Sequence, residues 1–182
     1  MNWTALILTF WVMFVPLVSG EASLQPQSSK IDELAEYKVP KGWYVTRYDD
    51  WKDPMIELWQ KFSFIRIRLY GGKDSSYKTV EDFMGSFAPP SWNGPTREIG
   101  PAIVAGVKTT MYRRRITLVG DPYGRVPKSA FPTVDEEFCV VPVRDQFFVL
   151  TYSCEPPLEN PLPPLDLEGE KKWKVFLKSF KI

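Results

Sequence analysis

The side chains able to do chemistry in this chain are few, and most are arginines. Arg66 and Arg68 alternate with Ile65, Ile67 and Leu69 in the run 62–70, FSFIRIRLY. Arg113 and Arg115 alternate with Tyr112, Arg114 and Ile116 in the run 111–116, MYRRRI. A spacing of two along an extended chain puts Arg66 and Arg68 on one face of their strand, and Arg113 and Arg115 on one face of theirs. Where two such strands are neighbours and the faces coincide, the guanidinium forks make a site for a carboxylate, a phosphate or an acidic partner surface. The competing reading is a solvated sheet face whose arginines pair across the strands with Glu136 or Glu137.

Other chemistry is thin. The chain contains no histidine, which excludes His-dependent triads and the commonest zinc ligand set and weakens a general base near neutral pH. Gly71-Gly72 lacks the spacing and the Lys-Ser/Thr of a phosphate loop. Asp49-Asp50 has the residue type of a glycosidase pair, with Trp51 and Trp92 as stacking groups, yet adjacent loop acids are ordinarily just solvated. No catalytic residue, metal ligand or cofactor is therefore assigned. Near-neutral charge, with 23 Lys+Arg against 22 Asp+Glu, gives no reason to expect nucleic acid or an anionic membrane as partner.

The elements that must position these residues centre on 136–154, EEFCVVPVRDQFFVLTYSC, which reads as a β-hairpin. With Arg144 and Asp145 in the turn, Val143 faces Gln146 and the register follows outward. Cys139, Val141, Phe148 and Leu150 then share one face, and Phe138, Val140, Phe147 and Val149 the other. Both faces are apolar, so the pair belongs in a sheet covered on both sides. Pro142 cannot donate to a ladder, so its strand is at an edge or bulged there.

The same register tests a disulfide between Cys139 and Cys154, the default for two cysteines in an exported chain. Cys139 faces Leu150, which leaves Cys154 four residues away, about 13 Å at strand rise. A disulfide tolerates a Cα separation of only about 7 Å. Two thiols are favoured over a bond, and Cys-x-x-Cys redox chemistry is absent.

Around the hairpin, 37–45 reads as a short strand, a Pro-Lys-Gly turn and a second strand, with Trp43 packed into the core. The segment 54–59 is ambiguous between a helical turn and a strand. Residues 75–87 read as a helix, with Thr79 as N-cap and Val80, Phe83, Met84 and Phe87 on one face. Residues 88–100 and 120–135 read as loops, the latter long enough to be functional. A strand pair turns at Gly106, over 102–107 and 108–119. Residues 155–169 are Pro-rich and acidic. Trp173, Phe176, Leu177 and Phe180 make the apolar stripe of a terminal helix over 171–182 with a Lys-lined free face.

The domain these elements build is preceded by a targeting segment. Leu6–Val18 is an apolar run too short for a full span, followed by the small residues Ser19-Gly20. This reads as a signal peptide over 1–20, cleaved near Gly20, in preference to an uncleaved anchor. A polar, flexible lead-in follows over 21–35, then one domain over 36–182. The expected location is secreted or periplasmic, with no stable membrane insertion after cleavage.

The order of elements resembles the PsbP-like family, which shares its α/β/α sandwich with the Ran-binding Mog proteins. The matching residues are Pro40-Lys41-Gly42-Trp43, Gly106, Phe147–Ser153 and Ser179-Phe180, within a span from Tyr37 to Ile182. The resemblance implies an α+β fold, an antiparallel sheet flanked by helices. It also implies a non-catalytic role in binding or assembly, with a protein partner in the envelope or extracellular space. The metal-binding histidines of photosystem members have no counterpart here. Two function classes are carried forward: an exported binding module using the arginine face or the loops at 88–100 and 120–135, and a small hydrolase or carbohydrate-active protein using carboxylates.

Overall fold

The computed structural model of the chain describes residues 29–87, 95–117, 133–155 and 167–182. The targeting segment, Trp92 and most of the two loops expected to meet a partner lie outside these residues. Seven strands form one antiparallel sheet: β1 (Tyr44–Tyr48), β2 (Met55–Gln60), β3 (Ser63–Tyr70), β4 (Arg97–Val104), β5 (Val107–Thr117), β6 (Thr133–Val143) and β7 (Gln146–Cys154). Two helices, α1 (Val80–Gly85) and α2 (Leu167–Ser179), accompany it. The order across the sheet is β1-β2-β3-β7-β6-β5-β4. Two meanders, one of β1 to β3 and one of β4 to β7, meet where β3 pairs with β7.

This architecture overturns the expected α+β sandwich of a sheet flanked by helices. The described chain is nearly all β, with helices of only 6 and 13 residues. Part of the reason is local competition within 75–87, read as one helix. Ser75 is taken up by the loop: its hydroxyl donates to Asp53 at 2.6 Å and accepts from the Gly71 N–H at 3.2 Å. Helix α1 starts only after Thr79, where a capping box joins the Thr79 hydroxyl to the Asp82 N–H and the Asp82 carboxylate to the Thr79 N–H. The segment 54–59, ambiguous in sequence, is strand β2. Strand β4 begins at Arg97, inside a stretch expected to be loop.

The hairpin of β6 and β7 has the expected register, Val143 opposite Gln146 and Cys139 opposite Leu150. Arg144, with φ of 53°, opens its two-residue turn. Pro142 lies past the end of the β5–β6 ladder, whose pairs run from Cys139 to Thr133, so its missing N–H interrupts nothing there. Gly71 holds the end of β3 against this turn. Its φ is 96°, and a Cβ there would stand 2.9 Å from the Gln146 Cα, so no other residue fits without moving the turn.

Alternation divides the core into two layers. On one face Ile56, Leu58, Ile65, Ile67, Leu69, Cys139, Val141, Phe148 and Leu150 pack under Trp173 and Phe176 of α2 and Phe180 just beyond its end, each of the three 1% exposed. Residues 29–35 carry Ile31 and Ala35 into the same layer. Trp43 is buried there as expected. On the other face α1 lays Phe83 and Phe87 over Phe138, Val140, Phe147 and Val149. A six-residue helix spans only part of a seven-stranded sheet, so the side chains over β1, β2 and the start of β3 on this face lie beyond its cover.

Candidate functional site

Strand alternation settles the four arginines. Arg66 and Arg68 point to the α1 face, as the apolar residues between them lie under α2. Arg113 and Arg115 follow Met111, which stands opposite Cys139, at spacings of two and four and so belong to the α2 face. The four do not converge.

Three of the four are also occupied. Arg113 pairs with Glu137 at 2.5 Å and Arg115 with Asp135 at 3.0 Å, both directly across the β5–β6 ladder. Arg66 is a half-buried hub: its Nε donates to Glu57 and its Nη1 to Glu155, each at 2.7 Å, and Ser153 hydrogen bonds to both Arg66 and Glu155. Burial opposes its charge, and Glu155 and Glu57 outweigh burial, holding the guanidinium above its ordinary pKa. Arg114, absent from the expected set, pairs with the buried Glu136 at 2.6 Å and lies over the rings of Phe87 and Phe138.

Arg68 differs. Among the described residues it has no carboxylate partner. Its Nε meets the Met55 sulfur at 3.0 Å, a weak acceptor. It lines an open cleft of about 370 Å³ with Trp51, Lys52, Asp53 and Tyr70. The loop 49–54 between β1 and β2 brings three of these, and the alternation of β3 brings Arg68 and Tyr70 two residues apart on one face. Trp51 is 52% exposed and packs on Tyr48, ring centroids 4.4 Å apart. Burial pushes the Tyr70 phenol up, against the pull of Arg68. Asp53 has burial working to raise its pKa, but hydrogen bonds from Ser75 and Ser76 hold it below the ordinary value, so it remains an anion. The cleft thus offers two cations, one acceptor carboxylate, a phenol and an aromatic face.

Lys52, Asp53 and Tyr70 were not singled out from the sequence. The signal available was the loop Asp49-Asp50-Trp51-Lys52-Asp53 standing before a strand that ends Arg-Leu-Tyr, but nothing in the sequence joins those two stretches. Asp49, one member of the acid pair, is raised by burial and lies outside the cleft lining. Cys139 and Cys154 are both thiols; Cys139 is opposite Leu150 and Cys154 opposite Ser63. Burial pushes the Cys139 thiol up to about 12. Among the described residues no group of three or more Cys, Asp or Glu could hold a metal ion, and no helix is long and apolar enough to cross a membrane.

No family model and no curated protein matches the chain. Among solved structures it is similar to LpqN, described as involved in cell envelope biogenesis of Mycobacterium tuberculosis, with a TM-score of 0.36 and 14% identity over 81% of this chain and 82% of that one. At that level the likeness implies neither a shared fold nor a shared function.

Proposed function

We propose that the chain is an exported, non-catalytic binding or assembly module that grips an anionic group of its partner in the cleft between Trp51 and Arg68. One observation carries this reading: Arg68 is a partly buried guanidinium without a carboxylate partner among the described residues, beside Lys52 and a half-exposed indole. A guanidinium fork that no carboxylate occupies keeps its paired N–H donors available to an incoming anion. Export rests on the apolar run 6–18 ahead of small residues. A hydrolase is the weaker reading because Glu57 and Glu155, two carboxylates that converge on β3, are both bonded to Arg66.

The test is co-sedimentation of the purified chain with cell envelopes of its source organism, comparing wild type with Arg68→Glu and Arg113→Glu. Retention lost with Arg68→Glu and kept with Arg113→Glu is the expected result. Equal retention of wild type and Arg68→Glu overturns the site.

A further inference from the structure

The aromatic groups on this face extend beyond the cleft. Tyr44 and Tyr48 lie on the same face of β1, four residues and so about 13 Å apart. Each backs a tryptophan: Tyr44 and Trp59 have ring centroids 4.7 Å apart, Tyr48 and Trp51 4.4 Å. One ring of each pair stands well out in solvent, Tyr44 at 63% and Trp51 at 52% exposure. Between the pairs, on the same face, lie Thr46 and Glu57, opposite one another in the β1–β2 ladder. The Thr46 hydroxyl accepts from the Trp59 indole at 3.1 Å and keeps its own proton to donate. Arg68 is in line with Tyr48 through Met55. The face therefore reads, from one end of β1 to the other, aromatic pair, hydroxyl and carboxylate, aromatic pair, cations.

We propose that this track binds an acidic polysaccharide, a chain of sugar rings bearing carboxylates. The inference rests on the cleft reading above and names its ligand. Two stacking platforms a strand's length apart call for an elongated ligand with repeated flat faces, which the C–H faces of sugar rings supply. The Arg68 fork and Lys52 take a ring carboxylate. Asp53 argues against a bare phosphate. Its Oδ1 is taken by Ser75 and Ser76, while its charge repels a dianion and its Oδ2 accepts a hydroxyl. A ligand that is anionic and also rich in hydroxyls satisfies both halves of the cleft.

The experiment is calorimetric and tryptophan-fluorescence titration of the purified chain, its N-terminal segment as the cell leaves it. The probes are oligogalacturonate and oligoalginate, methyl-esterified oligogalacturonate, polyglutamate and inorganic phosphate. The acidic oligosaccharides should bind, and their methyl ester should bind about tenfold more weakly or worse, the loss expected for a charge-assisted hydrogen bond. Arg68→Gln and Trp51→Ala should each weaken oligouronate binding by a similar factor, and Arg113→Gln should leave it unchanged. Trp51 is a surface residue, so its variant separates binding from folding. Polyglutamate or phosphate binding as tightly as the oligouronates, in an Arg68-dependent way, overturns the sugar assignment and leaves the anion cleft standing. No Arg68-dependent binding of any anionic probe overturns both.

Discussion

Three successive rungs of the β5–β6 ladder each hold an ion pair, the middle one on the opposite face from its neighbours, and their burial differs widely. Arg113 meets Glu137, Arg114 meets Glu136 and Arg115 meets Asp135. The Arg114–Glu136 side chains are only 11% and 6% exposed, while those of Arg115–Asp135 are 65% and 50% exposed. Replacing Glu136 by Gln keeps its size and one acceptor but removes the charge. Arg114 is then left uncompensated beneath Phe87, whose ring centroid lies 4.1 Å from the guanidinium. Breaking a buried pair this way costs about 3–5 kcal/mol. With a urea slope of about 2 kcal/mol per molar, the unfolding midpoint should fall by about 1.5–2.5 M. A loss of that size is a large share of the roughly 5–15 kcal/mol that holds a domain together. Asp135→Asn on the exposed neighbour should leave the midpoint where it was. The double change Arg114→Met with Glu136→Leu should recover most of the loss, since it leaves no buried charge. Equilibrium urea unfolding followed by tryptophan fluorescence reads all three. A Glu136→Gln midpoint no lower than that of Asp135→Asn would refute the reasoning that burial, not pairing, sets the cost.

Two further predictions come from the core and the helix cap. Cys139 has a thiol pKa raised by burial to about 12, so its contribution is fully present below the ordinary thiol range and is lost as pH climbs from there to about 12. The stability of wild type relative to Cys139→Val should therefore fall by about 1.4 kcal/mol per pH unit across that window, and a flat difference would contradict it. Thr79→Ala breaks the capping box of α1 and should cost about 1 kcal/mol. Amide exchange at the Phe83 N–H, bonded to the Thr79 carbonyl at 3.2 Å, should quicken more than exchange in α2, and equal quickening in both helices would show that the cap is not local.

Much of the fold was legible because period-two alternation in the sequence is strong where the sheet is buried. The β6–β7 register, the inward Ile65, Ile67 and Leu69, the N-cap at Thr79 and the stripe Trp173, Phe176 and Phe180 all follow from local pattern. The sandwich did not follow. Residues 75–87 carry helical spacing, but Ser75 bonds to Asp53, far away in sequence, and shortens the helix. Ile31 was illegible as core because it stands alone in a polar stretch, and it is buried in the layer that also holds Trp173 and Phe176. The candidate cleft was half legible. Arg68 and Trp51 were named, but in separate readings, one as an anion-binding fork and the other as a stacking group, and Lys52, Asp53 and Tyr70 carry no pattern of their own.

The sequence by itself determined which side chains alternate, where turns and caps fall, and that histidine chemistry is absent, because each of these depends on residue type and near neighbours. Only the tertiary structure decided which arginine is available. Arg66, Arg68, Arg113 and Arg115 are alike in sequence, each on an alternating strand. Pairing β3 with β2 and β7 brought Glu57 and Glu155 to Arg66, and pairing β5 with β6 brought Glu137 to Arg113 and Asp135 to Arg115. Arg68 met Met55 across the ladder instead of an acid. The register of strands distant in sequence, set by which faces bury apolar area, left that one charge beside Trp51 without a carboxylate partner among the described residues.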